Sequence, residues 1–128
     1  MPHPLLESLV SGELRIDAVE KSPSLRLDWS GRSHERNPGL VIAPWLDGAL
    51  TEARVKGLSL EAHFERLEFF NSATVTALIQ LIRKARAQGI ALVIVFNAEK
   101  KWQALTFDAL RSFELPDGLL RIRARLDS

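Results

Sequence analysis

Residues 58–89 read LSLEAHFERLEFFNSATVTALIQLIRKARAQG, and this stretch decides the fold. Leu58, Leu60, Ala62 and Phe64 alternate with Ser59, Glu61, His63 and Glu65, the period of two that marks a strand. Leu67, Phe69 and Phe70 follow, and then the polar step Asn71-Ser72-Ala73-Thr74. Beyond it Val75, Leu78, Ile79 and Ile82 recur at i, i+3, i+4 and i+7, with Arg83, Lys84 and Gln88 on the other side. That spacing predicts an amphipathic helix, closed by Gly89 as its C′ residue. Asn71 or Ser72 is its natural N-cap. A strand thus hands over to a helix N-terminus through a short polar step that carries hydroxyl groups.

On the N-terminal side, Leu14, Ile16 and Ala18 alternate with charged residues, as do Leu25, Leu27 and Trp29. Ser22-Pro23-Ser24 between them is a turn signal, so a β-hairpin is expected, with Ser30-Gly31-Arg32 ending its second strand. Asn37-Pro38 reads as the N-cap and first residue of a helix. Its apolar stripe is Ile42, Trp45, Leu46, Ala49, Leu50 and Ala53, and Gly57 ends it. Pro44 inside the stripe either kinks the helix or restarts it. On the C-terminal side, 91–96 is apolar without alternation and reads as a strand covered on both faces. Residues 100–113 predict a further helix with Trp102, Leu105, Thr106, Ala109, Leu110 and Phe113 on one side. After the turn Pro116-Asp117-Gly118, Leu120, Ile122, Ala124 and Leu126 alternate with Arg121, Arg123 and Arg125, giving a last strand. The order is ββαβαβαβ, which favours parallel pairing through right-handed crossovers. The expected fold class is therefore α/β, a single domain with a mixed, mostly parallel sheet and amphipathic helices. The domain is expected over 13–128, preceded by an N-terminal tail at 1–12. The spacing of Leu5, Leu6, Leu9 and Val10 in that tail fits one or two helical turns or a loosely docked end.

Composition narrows the function classes. The 128 residues suffice for one domain with its own core. A net charge of +1, with acids interspersed among the arginines, gives no footprint for nucleic acid. The arginine stripe of the last strand fits protection of a sheet edge, with nucleic acid as the weaker alternative. The absence of cysteine excludes disulfides, thiolate nucleophiles and thiolate metal sites. No apolar run approaches the roughly 20 residues that span a bilayer. The start, MPHPLLESLV, lacks the basic and apolar regions of a signal peptide, so the expected location is the cytoplasm.

The step Phe69-Phe70-Asn71-Ser72-Ala73-Thr74, followed by an apolar helix that ends in basic residues and Gly89, resembles the STAS domain of bacterial anti-sigma-factor antagonists. The family signature is an apolar pair, Asp-Ser-Ser/Thr-Gly, and then such a helix. Asn71 stands for the family Asp, Ala73 for the second hydroxyl residue and Thr74 for the Gly. Asn71 and the run Glu35-Arg36-Asn37-Pro38 also resemble the SiaC-like branch, in which Asn precedes a phosphorylatable Thr. The resemblance covers about Leu14 to Phe113. It implies a STAS-like fold, phosphorylation of Ser72, and partner contacts from Asn71, Ala73, Thr74, Arg32 and His34. The implied partners are an anti-sigma-type serine/threonine kinase, a phosphatase and an output protein. That output protein belongs to a sigma-factor circuit or is a diguanylate cyclase. No cofactor is implied, and the chain is expected to bind rather than catalyse.

The residues by themselves keep a plainer alternative open. Ser72 can be only a helix cap on a constitutive scaffold, and Thr74 is a second, weaker acceptor. His34 and His63 invite a metal or hydrolase reading. The Gly-x-Ser-x-Gly elbow is missing, however, and His63-x-Glu65 puts only two ligands on one strand face. Trp102 is either core or a partner anchor.

Overall fold

Alternation at both ends of the chain builds the two sides of one sheet. The computed structural model describes residues 7–34 and 37–125. The strands are β1 (Leu9–Ser11), β2 (Leu14–Lys21), β3 (Ser24–Ser33), β4 (Ser59–Phe70), β5 (Leu92–Asn97) and β6 (Leu120–Arg125). The helices are α1 (Pro38–Lys56), α2 (Ser72–Ala87) and α3 (Lys101–Leu110), the last followed by a 3-10 turn at Arg111–Phe113. The strands lie side by side in chain order. β1, β2 and β3 pair antiparallel, and β3, β4, β5 and β6 pair parallel. Each parallel crossover steps one place in the same direction. Right-handed crossovers of that kind stack every connecting helix on one face, and α1 packs directly on α2.

The core lies between that face and the helices. Phe64 is its centre, with its ring 4.8 Å from Trp29, 5.0 Å from Phe107 and 6.2 Å from Phe70. Leu78, Leu81 and Ile82 of α2 and Ile42, Leu46 and Leu50 of α1 close the layer. The helix stops follow the sequence. Gly57 caps α1 in the left-handed conformation, and Gly89 follows α2 with φ of 69°. α1 runs unbroken across Pro44, whose side is exposed, so it neither ends nor restarts there.

Four expectations are corrected. First, Leu9–Ser11 form neither a helical turn nor a tail. They pair with Leu14–Ile16 as β1, while Leu5 and Leu6 lie outside the described residues, as does Leu126 at the other end. Second, β3 does not end at Ser30-Gly31-Arg32 but continues to Ser33. Gly31 lets it do so, with φ of +83° and a position where a Cβ would lie 1.9 Å from the Glu13 carbonyl oxygen. Third, β5 is covered on one face only. Leu92, Ile94 and Phe96 are buried, whereas Val93 and Val95 are half-buried on the face that carries no helix. Fourth, α3 is rotated from its expected stripe. It docks through Gln103, Phe107 and Leu110, leaving Leu105 75% exposed. The spacing i, i+4, i+7 is helical, but its first member is polar and hides the stripe.

Both free sheet edges are limited. β1 is three residues long. At β6, the backbone of Ile122 is already engaged: Arg111 donates to its carbonyl at 2.7 Å, and its N–H donates to Glu114 at 3.0 Å. Edges treated in this way resist pairing with another chain.

The one-sided cover of β5 predicts unequal costs at two adjacent residues. Ile94→Ala should destabilise the monomer by about 2–5 kcal/mol, and Val93→Ala should destabilise the monomer by a small fraction of that. Gly31→Ala should cost about 1–3 kcal/mol, since it adds both strain and a backbone collision. Urea unfolding of the three variants checks the order, and equal losses at Ile94 and Val93 would contradict a sheet covered on one face.

Candidate functional site

β4 is longer than its neighbour. Its pairing with β5 runs only from Leu60–Leu92 to His63–Val95, so its last residues project beyond β5. Along that projection it gains two residues relative to β3. Asp28 to Ser30 spans His63 to Arg66, and Gly31 to Arg32 spans Leu67 to Phe69. Each shift is a bulge that lets two β4 residues share the open face. Phe64, Leu67 and Phe70 therefore all reach the core at intervals of three. The projecting backbone is held by α3 instead of a strand. Gln103, fully buried, donates to the carbonyls of Phe64 at 2.7 Å and Leu67 at 2.9 Å, and accepts from the Asn97 N–H at 2.7 Å. Lys100 donates to the carbonyls of Glu65 at 2.9 Å and Leu67 at 3.2 Å. No periodicity argument singles out Gln103 or Lys100. The available signal was a lone Gln one residue after Trp102, on a helix that follows a strand.

This clamped strand delivers the polar step. Asn71 is the N-cap of α2, and its Oδ1 accepts from the Thr74 N–H at 2.9 Å and from the Thr74 hydroxyl at 2.8 Å. Since the Thr74 proton is committed to Asn71, the Ser33 hydroxyl donates to Thr74 Oγ1, at 2.8 Å. Ser33 and Thr74 are both fully buried. Thr74, expected as a surface contact or second acceptor, is instead the internal pin between the end of β3 and the start of α2. Ser33 belongs to that pin and was not singled out by the sequence. Ser72 is not the cap. It is the first helical residue, exposed, beside half-buried Ala73, in a first turn that contains no acidic residue. The first turn of a helix presents backbone N–H groups and the positive end of its dipole.

Arg32 and His34 are brought to a different part of the same end of the sheet. They flank Phe69 on the open face, with the His34 ring stacked at 5.1 Å and the Arg32 guanidinium 5.7 Å from the ring centre. His34 also lies 3.5 Å from Glu13. Both side chains are exposed. Trp102 is part core and part surface, edge-on to Phe70 at 5.1 Å.

His63 is buried on the open face between two carboxylates, with Glu61 2.9 Å from Nε2 and Glu65 3.0 Å from Nδ1. The hydrogen bond with His63 is the main cause that holds the Glu61 carboxyl below its ordinary value, against the upward push of burial. Among the described residues no group of three or more His, Asp or Glu side chains is placed to hold a metal ion. No helix among them is long and apolar enough to cross a membrane.

The architecture is a mixed α/β sheet with its helices on one face and a capped helix directly after β4. Among solved structures the chain is similar to SiaC, in the crystal structure of diguanylate cyclase SiaD in complex with its activator SiaC from Pseudomonas aeruginosa. The TM-score is 0.63 at 15% identity, over 93% of this chain and 99% of that one. It also matches the anti-sigma factor antagonist SpoIIAA in its unphosphorylated form, with a TM-score of 0.44 and 13% identity, over 64% of this chain and 71% of that one. At such identities the SiaC likeness is one of fold. No protein-family model and no curated protein matches the sequence.

Two outcomes follow from this geometry. Asn71→Ala should lower stability by about 1–2 kcal/mol through loss of the cap, whereas Ser72→Ala should stay within about 0.5 kcal/mol. Thermal melts compare them, and an equal loss would mean that Ser72 shares the capping. For Glu61 the folded carboxyl is depressed, so its stabilising effect is present above the unfolded pKa and is lost as pH falls through the folded one. His63→Ala removes the main cause of the depression and should flatten this acid limb. Urea midpoints followed from about pH 6 down to 3 test it.

Proposed function

We propose that the chain is a regulator that acts by binding other proteins, and that phosphorylation of Ser72 switches that binding. The observation that carries this reading is the division of labour among the hydroxyls of one helix start. Asn71 caps, Thr74 and Ser33 are locked inside, and Ser72 alone of the three is exposed, on the first helical turn. A kinase can reach it without unfolding the helix. A phosphate there meets N–H donors and a favourable dipole, so the fold tolerates it. The same phosphate adds about −1.5 to −2 charges, which a docked partner would have to desolvate or would repel.

The docking surface in this reading combines Ser72, Asn71 and Ala73 with the Arg32, His34 and Phe69 cluster. Thr74 contributes from inside by fixing the two halves relative to each other. Writer and eraser would be an anti-sigma-type serine/threonine kinase and a phosphatase, acting in the cytoplasm. For the output partner, the SiaC likeness favours a diguanylate cyclase over a sigma-factor circuit, because it extends over nearly the whole of both chains. Nothing in the reading requires catalysis by this chain.

The test begins with the native protein, captured from its own cells with its output partner and analysed for phosphate on Ser72 by mass spectrometry. Affinity for that partner is then measured for the wild type, Ser72→Ala and Ser72→Asp, with circular dichroism as the fold control. Ser72→Ala should bind like the unmodified protein. Ser72→Asp should keep the fold, because an acid at a helix N-terminus is favourable, and should bind at least about tenfold more weakly. Equal affinity for all three, with no phosphate on Ser72, would leave only a constitutive scaffold.

A further inference from the structure

The face of the sheet that carries no helix is arranged in three parallel rows at its β4–β6 side. Register aligns Glu61 with Val93 and Arg121, and His63 with Val95 and Arg123. β4 thus presents an acidic row, β5 an apolar row and β6 a basic row. Farther out on this face, β2 and β3 carry their charges as closed pairs, Arg15 with Asp17 and Arg26 with Asp28. The basic row is different. Arg125 reaches Glu65 at 3.2 Å, but Arg121 and Arg123 make no hydrogen bond or ion pair among the described residues. Val93 and Val95 line an open groove of about 340 Å³ together with Glu61, His63, Arg123 and Arg125.

We propose that this face is covered by a second copy of the same chain, related by a two-fold axis that runs along β5. Such an axis keeps the position along the strands and exchanges the two flanks. It lays the apolar row of one copy on the apolar row of the other, and the basic row of each on the acidic row of its partner. Arg121 of one copy then faces Glu61 of the other, and Arg123 faces the Glu61–His63–Glu65 cluster. The match is isologous, as a two-fold contact requires, and the same surface supplies both halves. Sheets packed face to face lie about 10 Å apart, which suits valines meeting on the axis while the long arginines fold into the groove beside them. The rows must run in this order for the match to exist. Had the valines lain on β6 or β4, the two-fold would have set like charges against each other. The charged flanks make the association salt-sensitive, since the screening length falls from about 10 Å at 0.1 M to about 3 Å at 1 M.

The test is sedimentation of the full chain at about 100 µM, where a dimer is favoured by mass action. The wild type should be a dimer that weakens in 1 M salt. Glu61→Lys and Arg121→Glu should each weaken it more than about tenfold, because each sets two like-charged pairs face to face in its own homodimer. An equimolar mixture of the two should dimerise again. In the mixed pair the lysine introduced by Glu61→Lys faces the glutamate introduced by Arg121→Glu, and the remaining Arg121 faces the remaining Glu61. Recovery also shows that both variants are folded. Val95→Asp should abolish the dimer. Ser72→Asp should leave it intact, so failure here is distinct from failure of the phosphorylation switch. A wild-type monomer at this concentration, a dimer indifferent to both charge reversals, or a mixture that stays monomeric would each overturn the proposal.

Discussion

Phe64 is where the apolar and the polar constraints of this fold meet. Its ring fixes Trp29 of β3, Phe70 of its own strand and Phe107 of α3 in one aromatic cluster, while its carbonyl accepts from the buried Gln103 of α3. Aromatic contacts set distances but allow sliding; hydrogen bonds of a buried amide do not. Together they determine both how far α3 stands from the sheet and where along β4 it sits. The N-terminus of α2 begins immediately after the same strand, so the placement of the polar corner follows from this one junction.

From that junction the two faces of the sheet take separate roles. On the helix side lies the core, in which Ser33 of β3 bonds to Thr74 of α2 and Gln103 of α3 bonds to the backbone of β4 and β5. The opposite side carries charge in an ordered pattern, with paired arginines and aspartates on the antiparallel strands and separated acidic, apolar and basic rows on the parallel ones. Because β3 and β4 both extend to the same end, the corner at Ser72 and the aromatic patch at Phe69 border both faces.

Much of this was legible in the sequence, and the reasons differ by element. The alternation through Phe64 and the Asn71 step are local signals, and local physics was sufficient to read them. Gly57 and Gly89 stop their helices for the same reason. β1 is too short to show a period, and it exists because β2 offers it a register. Leu67 and Phe70 look irregular in a strand because the bulges reset the alternation, and bulges have no composition of their own here. Val93 and Val95 look like core, since apolarity does not say whether a second layer of helices exists; the one-way order of the crossovers decides that. Of the candidate site, Asn71 and Ser72 could be found from spacing only as cap candidates, and Ser72 as a phosphate acceptor was suggested by the family resemblance. The buried role of Thr74 required knowing that Ser33 lies beside it, and that contact spans 41 positions of chain.

The Gln103 clamp has a consequence for how the molecule opens. If α3 detached, the carbonyls of Phe64 and Leu67 and the Asn97 N–H would lose their partners in a region with little water, at a cost of about 1–3 kcal/mol for each. Detachment of α3 and loosening of the strand end are therefore not independent fluctuations. They form one cooperative unit, in which exchange of amide hydrogens in the first turns of α3 and near the close of β4 proceeds with a common free energy. The start of α2 borders that unit, so its rigidity is set by a helix two elements further along the chain.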